Sequence, residues 1–396
     1  MNRSLNIINN KSLLKLLLLS MCFQNIEIIN FGTFGLKLFH IIGICYFPLL
    51  IINRKKIRLP SKMITFFLAY LLMLSLINSF TYGFHSLNFN YIFSYYLLIV
   101  LFTLAKDVKE SEWKEIIKSV AILALICVYL NALINRNIII AFLKNPYGHP
   151  VYKFIFGGGA NLETTWIGLF GLFFKDEKKG YIYIFLCSII SAILASRVGI
   201  IIDIIAFCFI TFGKNSDSKI KSKKIWYGML ILILSAIIIL KTGIMNYLIV
   251  RLENIGRDTG STARLLMWKY VFEAFLKNPL GYGLGNSIKA INTVSTTYIG
   301  EGNIHNLYFQ MLLDGGILGL IWYLAIIIKF VQKEFFNIWK KPVVMYIITY
   351  FVLGLVQFRG GDALLFFFVG VYVIEKQQEK LSVVEISYEK NKENTL

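Results

Sequence analysis

Long apolar runs recur along nearly the whole chain, and short clusters of lysine and arginine separate them. A helix needs about 17 to 25 apolar residues to cross the hydrocarbon of a bilayer. Only helices and closed barrels satisfy their own backbone there. The runs are continuous rather than alternating, so helices are expected. Composition agrees: 57% of the residues are hydrophobic and 16% are charged, where a soluble domain carries about 25% charged residues. Spans are expected near 12–29, 34–52, 62–80, 89–105, 116–134, 156–174, 180–196, 197–213, 225–241, 312–331, 342–358 and 361–375. The fold class is therefore all-α, a polytopic transmembrane helix bundle of about 12 spans. It forms one transmembrane domain over 1–375, followed by a polar cytoplasmic tail at 376–396 that frays into solvent.

The net charge of +19 is explained by topology rather than by nucleic acid. With both termini in the cytoplasm, most of the 41 Lys and Arg residues fall in cytoplasmic segments, as the positive-inside rule requires. The run Leu13 to Cys22 has no small-residue cleavage site after it and reads as the first span rather than a signal peptide. The five cysteines lie singly in apolar runs, with neither metal-site nor disulfide spacing. Two external loops are long, at about 135–163 and 242–304. The second lies between the ninth and tenth spans and carries amphipathic helices. Long loops among short connections are where function is sought.

Few residues in such a chain can do chemistry. Arg197 stands between apolar stretches, where a charge at mid-span costs roughly 2.5–3.5 kcal/mol or more. It either snorkels to the interface or meets an anion at the outer surface. Asp203, six residues on, is off its face and suits a partner on another helix. Ser261 or Thr262 is expected to cap a helix running to Lys277, which places Arg264 in its first turn. Leu265, Trp268, Phe272 and Phe275 recur at helical spacing on it. A cation at a helix start opposes the dipole unless both face one anion. The alternative is a solvated arginine. Asn303 is expected to cap a helix beginning near His305, which would favour a neutral imidazole able to accept a proton. A lone histidine can equally be structural. The Gly281-x-Gly283-x-Gly285-Asn286 stretch reads as a tight loop, with anion contact the lesser option. Asn161 and Glu163 follow three glycines at the mouth of a span, and Arg359 and Asp362 flank Gly360-Gly361.

The pattern S-T-A-R-x-x-M-W from Ser261, N-P-L-G-x-G-x-G-N from Asn278 and H-N-x-Y-x-Q-x-x-x-x-G-G-x-x-G from His305 resembles the core of the bacterial O-antigen ligase and polymerase superfamily. The Ser196-Arg197 pair resembles that family's upstream arginine. The motif likeness covers roughly 190–320. It implies transfer of glycan from an undecaprenyl diphosphate carrier to a sugar hydroxyl, outside the cytoplasmic membrane and without a metal or other cofactor. Arg197 and Arg264 would then hold the diphosphate and His305 would act as base. Asn306, Asn286, Glu163, Arg359 and Asp362 are the further binding candidates. Guanidinium groups suit a diphosphate leaving group, and a neutral imidazole suits a hydroxyl acceptor. What orients the ring is open, since Glu301 and Asp314 are the only nearby carboxylates.

The resemblance points to a repeat-unit polymerase of O-antigen or capsule, and displacement at the anomeric carbon would invert configuration. A ligase joining finished glycan to a lipid A core shares every motif. A lipid-linked oligosaccharide flippase is a rival of another class, but it predicts internal repeats, and the sequence holds none. Expected partners are the lipid-linked oligosaccharide and the bilayer, with a chain-length regulator and a flippase nearby.

Overall fold

The computed structural model describes residues 10–23, 26–30, 35–52, 61–83, 88–89, 91–97, 110–143, 152–156, 158–213, 259–300, 303–357 and 362–393. Among these the protein is helical, apart from one antiparallel pair of strands, β1 (Glu27–Asn30) and β2 (Gly35–Lys37). The expected span at 225–241 lies outside the described residues. Among the described residues, three helices are long and apolar enough to cross a membrane: Lys62–Tyr82, Ser111–Ile134 and Leu307–Asn337. The first expected span is shorter than foreseen. Helix α1 (Asn10–Cys22) ends where Glu27 to Asn30 begin β1, and α2 follows at Leu38–Ile52. The region expected as a loop at 135–163 contains helix α5 (Arg136–Leu143), which follows α4 (Glu110–Ile134) after a single turn residue.

Aromatic packing fixes how the central helices run. Helix α6 (Ala160–Phe170) continues through a 3-10 turn, Gly171–Phe174. It lies antiparallel to α12 (Pro342–Leu353). Trp166 stacks on Tyr350, Phe173 packs on Tyr346 further back, and the Lys175 ammonium donates to the Trp339 and Lys340 carbonyls beyond. Helix α7 (Lys178–Ile193) returns, and α8 (Arg197–Phe212) then runs alongside α6. A Cβ on Gly199 would lie 2.5 Å from Thr164, and one on Gly168 would lie 2.8 Å from Asp203, so glycine allows the close approach. The tail expected to fray is instead continuous with α13 (Ala363–Glu393). Lys376 pairs with Glu334 and Glu379, and Lys341 with Glu379. Those pairs tie the helix to the start of α12 and the end of α11 (Leu307–Glu334).

The second half of the core is built by α3 (Lys62–Tyr82), α9 (Thr259–Lys277), α10 (Ser287–Asn292) and α11. Helix α9 buries its smaller apolar side, Met267, Val271 and Ala274, with Tyr270. Leu265 and Phe272, on the apolar face read from the sequence, are exposed. Helix α11 is broken at Gly316, whose φ of 66° and ψ of −170° are open essentially to glycine alone. The break is filled by the loop after α9. Tyr282 and Gly283 donate their N–H groups to the Leu313 and Asp314 carbonyls, and Ile317 donates to the Pro279 carbonyl at 3.0 Å.

The crossing leaves no room for a side chain. A Cβ on Gly281 (φ +99°) would sit 2.5 Å from the Gly316 nitrogen. Gly281→Ala and Gly316→Ala are each expected to destabilise the protein by about 2–4 kcal/mol through strain and overpacking. Gly300→Ala, whose Cβ would meet only Tyr298 at 3.8 Å, should be neutral. Thermal unfolding of the purified variants in detergent checks the contrast.

Candidate functional site

The antiparallel packing gathers particular helix ends. The starts of α6, α8, α11 and α13 and the finish of α12 share one end of the bundle. The N–H of Leu307 donates to the Gly354 carbonyl at 2.7 Å, and the Asn306 amide donates to Leu355. Tyr308 donates its hydroxyl to Phe351. The opposite end carries the lysine–carboxylate pairs, with Lys118 on Glu177 in addition.

Arg197 is the first residue of α8, half-buried at the gathering end. Ser196 caps the helix, its hydroxyl oxygen accepting the Gly199 N–H at 3.0 Å. The same oxygen accepts from the Thr164 hydroxyl at 2.6 Å, and its own proton goes to Asn161 Oδ1 at 3.0 Å. The starts of α6 and α8 are thereby locked side by side. Ala195, just before the cap, has a left-handed φ of 48°. Asp203 does find its partner on another helix: the Ser191 hydroxyl of α7 donates to it at 2.7 Å.

Arg264 and His305 meet through Trp268. Helix α9 begins at Thr259 rather than at Thr262, so Arg264 lies in its second turn and not its first, as the capping residues had suggested. Arg264 and Trp268 are four residues apart and share a face. The Trp268 indole N–H donates at 2.9 Å to the Ile304 carbonyl, the residue before His305. The cap of α11 is Asn306, not Asn303. The Asn306 Oδ1 accepts from both the Tyr308 and Phe309 N–H groups. Asn303 instead accepts the His305 N–H at 2.9 Å, which bends the backbone so that His305 takes a left-handed φ of 55°. His305 therefore stands just ahead of the helix, half-buried.

The further binding candidates among the described residues have partners within the protein. Asn286 is fully buried and donates to the Tyr282 carbonyl. Glu163 is buried in the first turn of α6, where it accepts the Phe156 N–H at 2.8 Å. Asp362 is buried and accepts the Tyr350 hydroxyl. Arg359 lies outside the described residues. The glycine loop does not present its N–H groups to an external anion: those of Gly285 and Ser287 bind the Asp314 carboxylate at 3.0 and 3.1 Å. Gln310 donates to the same carboxylate at 2.9 Å. Sequence reasoning passed over Asp314 as a mere neighbour of His305. The available signal was an acid ahead of Gly315-Gly316 inside an apolar run.

Together these features define a helical membrane protein. Arg197 at the start of α8 and His305 ahead of α11 stand at one bundle end, and Trp268 ties the helix of Arg264 to the His305 turn. Residues 182–324, which hold Arg197, Arg264, His305 and Asp314, match the family model described as O-antigen ligase. Over 213 residues the chain is 26% identical to a Rickettsia conorii protein whose name provisionally describes it as a polysaccharide ligase. That match covers half of this chain, and the chain spans about half the length of the curated relative. The matched region is thus similar to the O-antigen ligase family.

Removing the Asp314 carboxylate strands three donors. Asp314→Ala is expected to cost about 3 kcal/mol or more, whereas Asp314→Asn, which keeps one acceptor, should lose less. The yield of folded, monodisperse protein and its unfolding temperature measure the difference.

Proposed function

We propose that the protein is a glycosyltransferase that polymerises undecaprenyl-diphosphate-linked oligosaccharide repeat units into a surface polysaccharide. In this reading it works at the outer face of the bacterial cytoplasmic membrane, with both termini inside. The observation that carries the reading is the tie from Trp268 to Ile304, which links the Arg264 helix to the His305 turn at the end where α8 presents Arg197.

The chemistry follows from those groups. The acceptor hydroxyl oxygen attacks the anomeric carbon of the donor glycan while His305 takes the hydroxyl proton. The bond from that carbon to the diphosphate oxygen breaks, and its electron pair leaves with the polyprenyl diphosphate. Arg197 and Arg264 stabilise the charge that gathers there, through planar, always-charged forks. The four helix starts at this end add positive potential. Attack opposite the leaving group inverts the anomeric centre.

A second reading is a ligase that transfers finished lipid-linked glycan to a separate acceptor. The descriptions of both the matching family and the Rickettsia relative favour it. Purified protein given only a defined diphosphate-linked oligosaccharide separates the two. A polymerase makes a ladder from the donor alone, and a ligase needs the second acceptor.

In either assay Arg197→Ala, Arg264→Ala and His305→Ala should each lower turnover by about 100-fold or more. The Arg→Lys changes should recover little, because a point ammonium does not reproduce the fork. Wild-type product length in all three alanine variants would overturn the proposal.

A further inference from the structure

The segment from α9 to α10 does not sit above the bundle. Helices α9 and α11 advance together: Trp268 meets Ile304 and Phe309, and Pro279 meets Ile317. Eleven residues pass on the α9 side, about 16 Å of helix. The chain then turns and climbs alongside α3, in the same direction as that helix. The Tyr70 hydroxyl donates to the Leu280 and Gly315 carbonyls, Ser75 accepts the Leu284 N–H, and Lys289 reaches the Tyr82 carbonyl. From Tyr70 to Tyr82 is about 18 Å of helix, more than half of a span whose whole length matches the hydrocarbon core.

We propose that α9, the glycine loop and α10 form a re-entrant hairpin that descends to mid-bilayer, and that the outer side of α9 rests against lipid acyl chains. Phe272, Leu276 and Leu280 lie on that side, with Leu276 and Leu280 exposed by 74% and 64%. The helices it packs with expose apolar side chains too, Leu76 and Phe80 on α3 and Ile317 and Ile321 on α11. Non-helical backbone at such depth is tolerated only when buried in protein. Here Asp314, Ser75 and the Leu313 carbonyl provide the partners. The neighbouring side of α9 carries Lys269, Glu273 and Lys277 at four-residue spacing. It faces the polar 293–298 turn, where Lys277 donates to Thr293 and Tyr270 bonds Thr296. Helix α9 is thus a wall with hydrocarbon on one side and water on the other, and Arg264 stands near its upper end.

The test uses the full chain in liposomes, with bimane attached in turn at Glu273→Cys, Leu276→Cys and Leu280→Cys and labelled wild type as background. Phosphatidylcholines bearing a nitroxide near the headgroup or near the chain end quench from within the bilayer, and iodide quenches from water. Leu276→Cys and Leu280→Cys should be quenched by the lipids, Leu280→Cys more strongly by the deep nitroxide, and Glu273→Cys by iodide. Iodide quenching at all three sites would place α9 in an external loop and overturn the inference. Quenching of Leu276→Cys and Leu280→Cys by neither agent would mean that a protein surface covers them, and would overturn it equally. The readout is independent of turnover, so an inactive preparation does not blur it.

Discussion

A carboxylate at the broken helix holds this half of the molecule together. Helix α11 cannot pass Gly316 as a helix, and its interruption frees backbone groups inside the bundle. In an apolar environment each unmet N–H or carbonyl costs several kcal/mol. Asp314 gathers the Gly285 and Ser287 N–H groups and the Gln310 amide. Its own carbonyl and that of Leu313 take two more N–H groups from the same loop. One residue thereby ties α11, the glycine loop and the start of α10, and Ser75 adds α3. The glycines are there because the crossing brings backbone against backbone.

The same arrangement sets the height of the site. The stretch from the break back to Asn306 is short and rigid, and Asn306 both caps α11 and anchors it to α12 through Leu355. His305 is fixed by what surrounds it: Asn303 holds its N–H, and Trp268 holds the preceding carbonyl. Ala195 ahead of Arg197 repeats the device, a left-handed non-glycine residue just before a capped helix. Such conformations cost of order 1–3 kcal/mol and persist only where the surroundings over-determine them. Here the surroundings are the Thr164–Ser196–Asn161 chain at one turn and Trp268 with Asn303 at the other.

Apolar run length and charge clustering were enough to read the helical class, the membrane setting and the helix start at Arg197. Family-like motifs made Arg197, Arg264 and His305 the candidates for the site. Local rules failed where tertiary contacts override them. Ser261 and Thr262 are good caps, yet α9 starts earlier. Asn303 and Asn306 are equally plausible caps by type, and only the anchorage to Leu355 selects the second. Polar composition suggested a fraying tail, but ion pairs to Glu334 and Lys341 extend α13. The glycine-rich stretch was read as a tight loop, but its partner, Asp314, lies about thirty residues away, and no local pattern reports that pairing.

The two ends of the bundle differ in electrostatic character. At one end the lysines are answered by nearby carboxylates, Lys376 by Glu334 and Glu379 and Lys118 by Glu177. That end is close to neutral in its pairs, and its cations serve orientation and packing. At the other end the helix starts of α6, α8, α11 and α13 point the same way, and each contributes roughly half a positive charge. The carboxylates there are turned inward: Glu163 holds the Phe156 N–H and Asp362 holds Tyr350. On the proposed function, an anionic headgroup arriving from the bilayer edge beside α9 would meet aligned dipoles together with Arg197 and Arg264. Such a field acts without rearrangement at the moment when charge develops on a leaving phosphate.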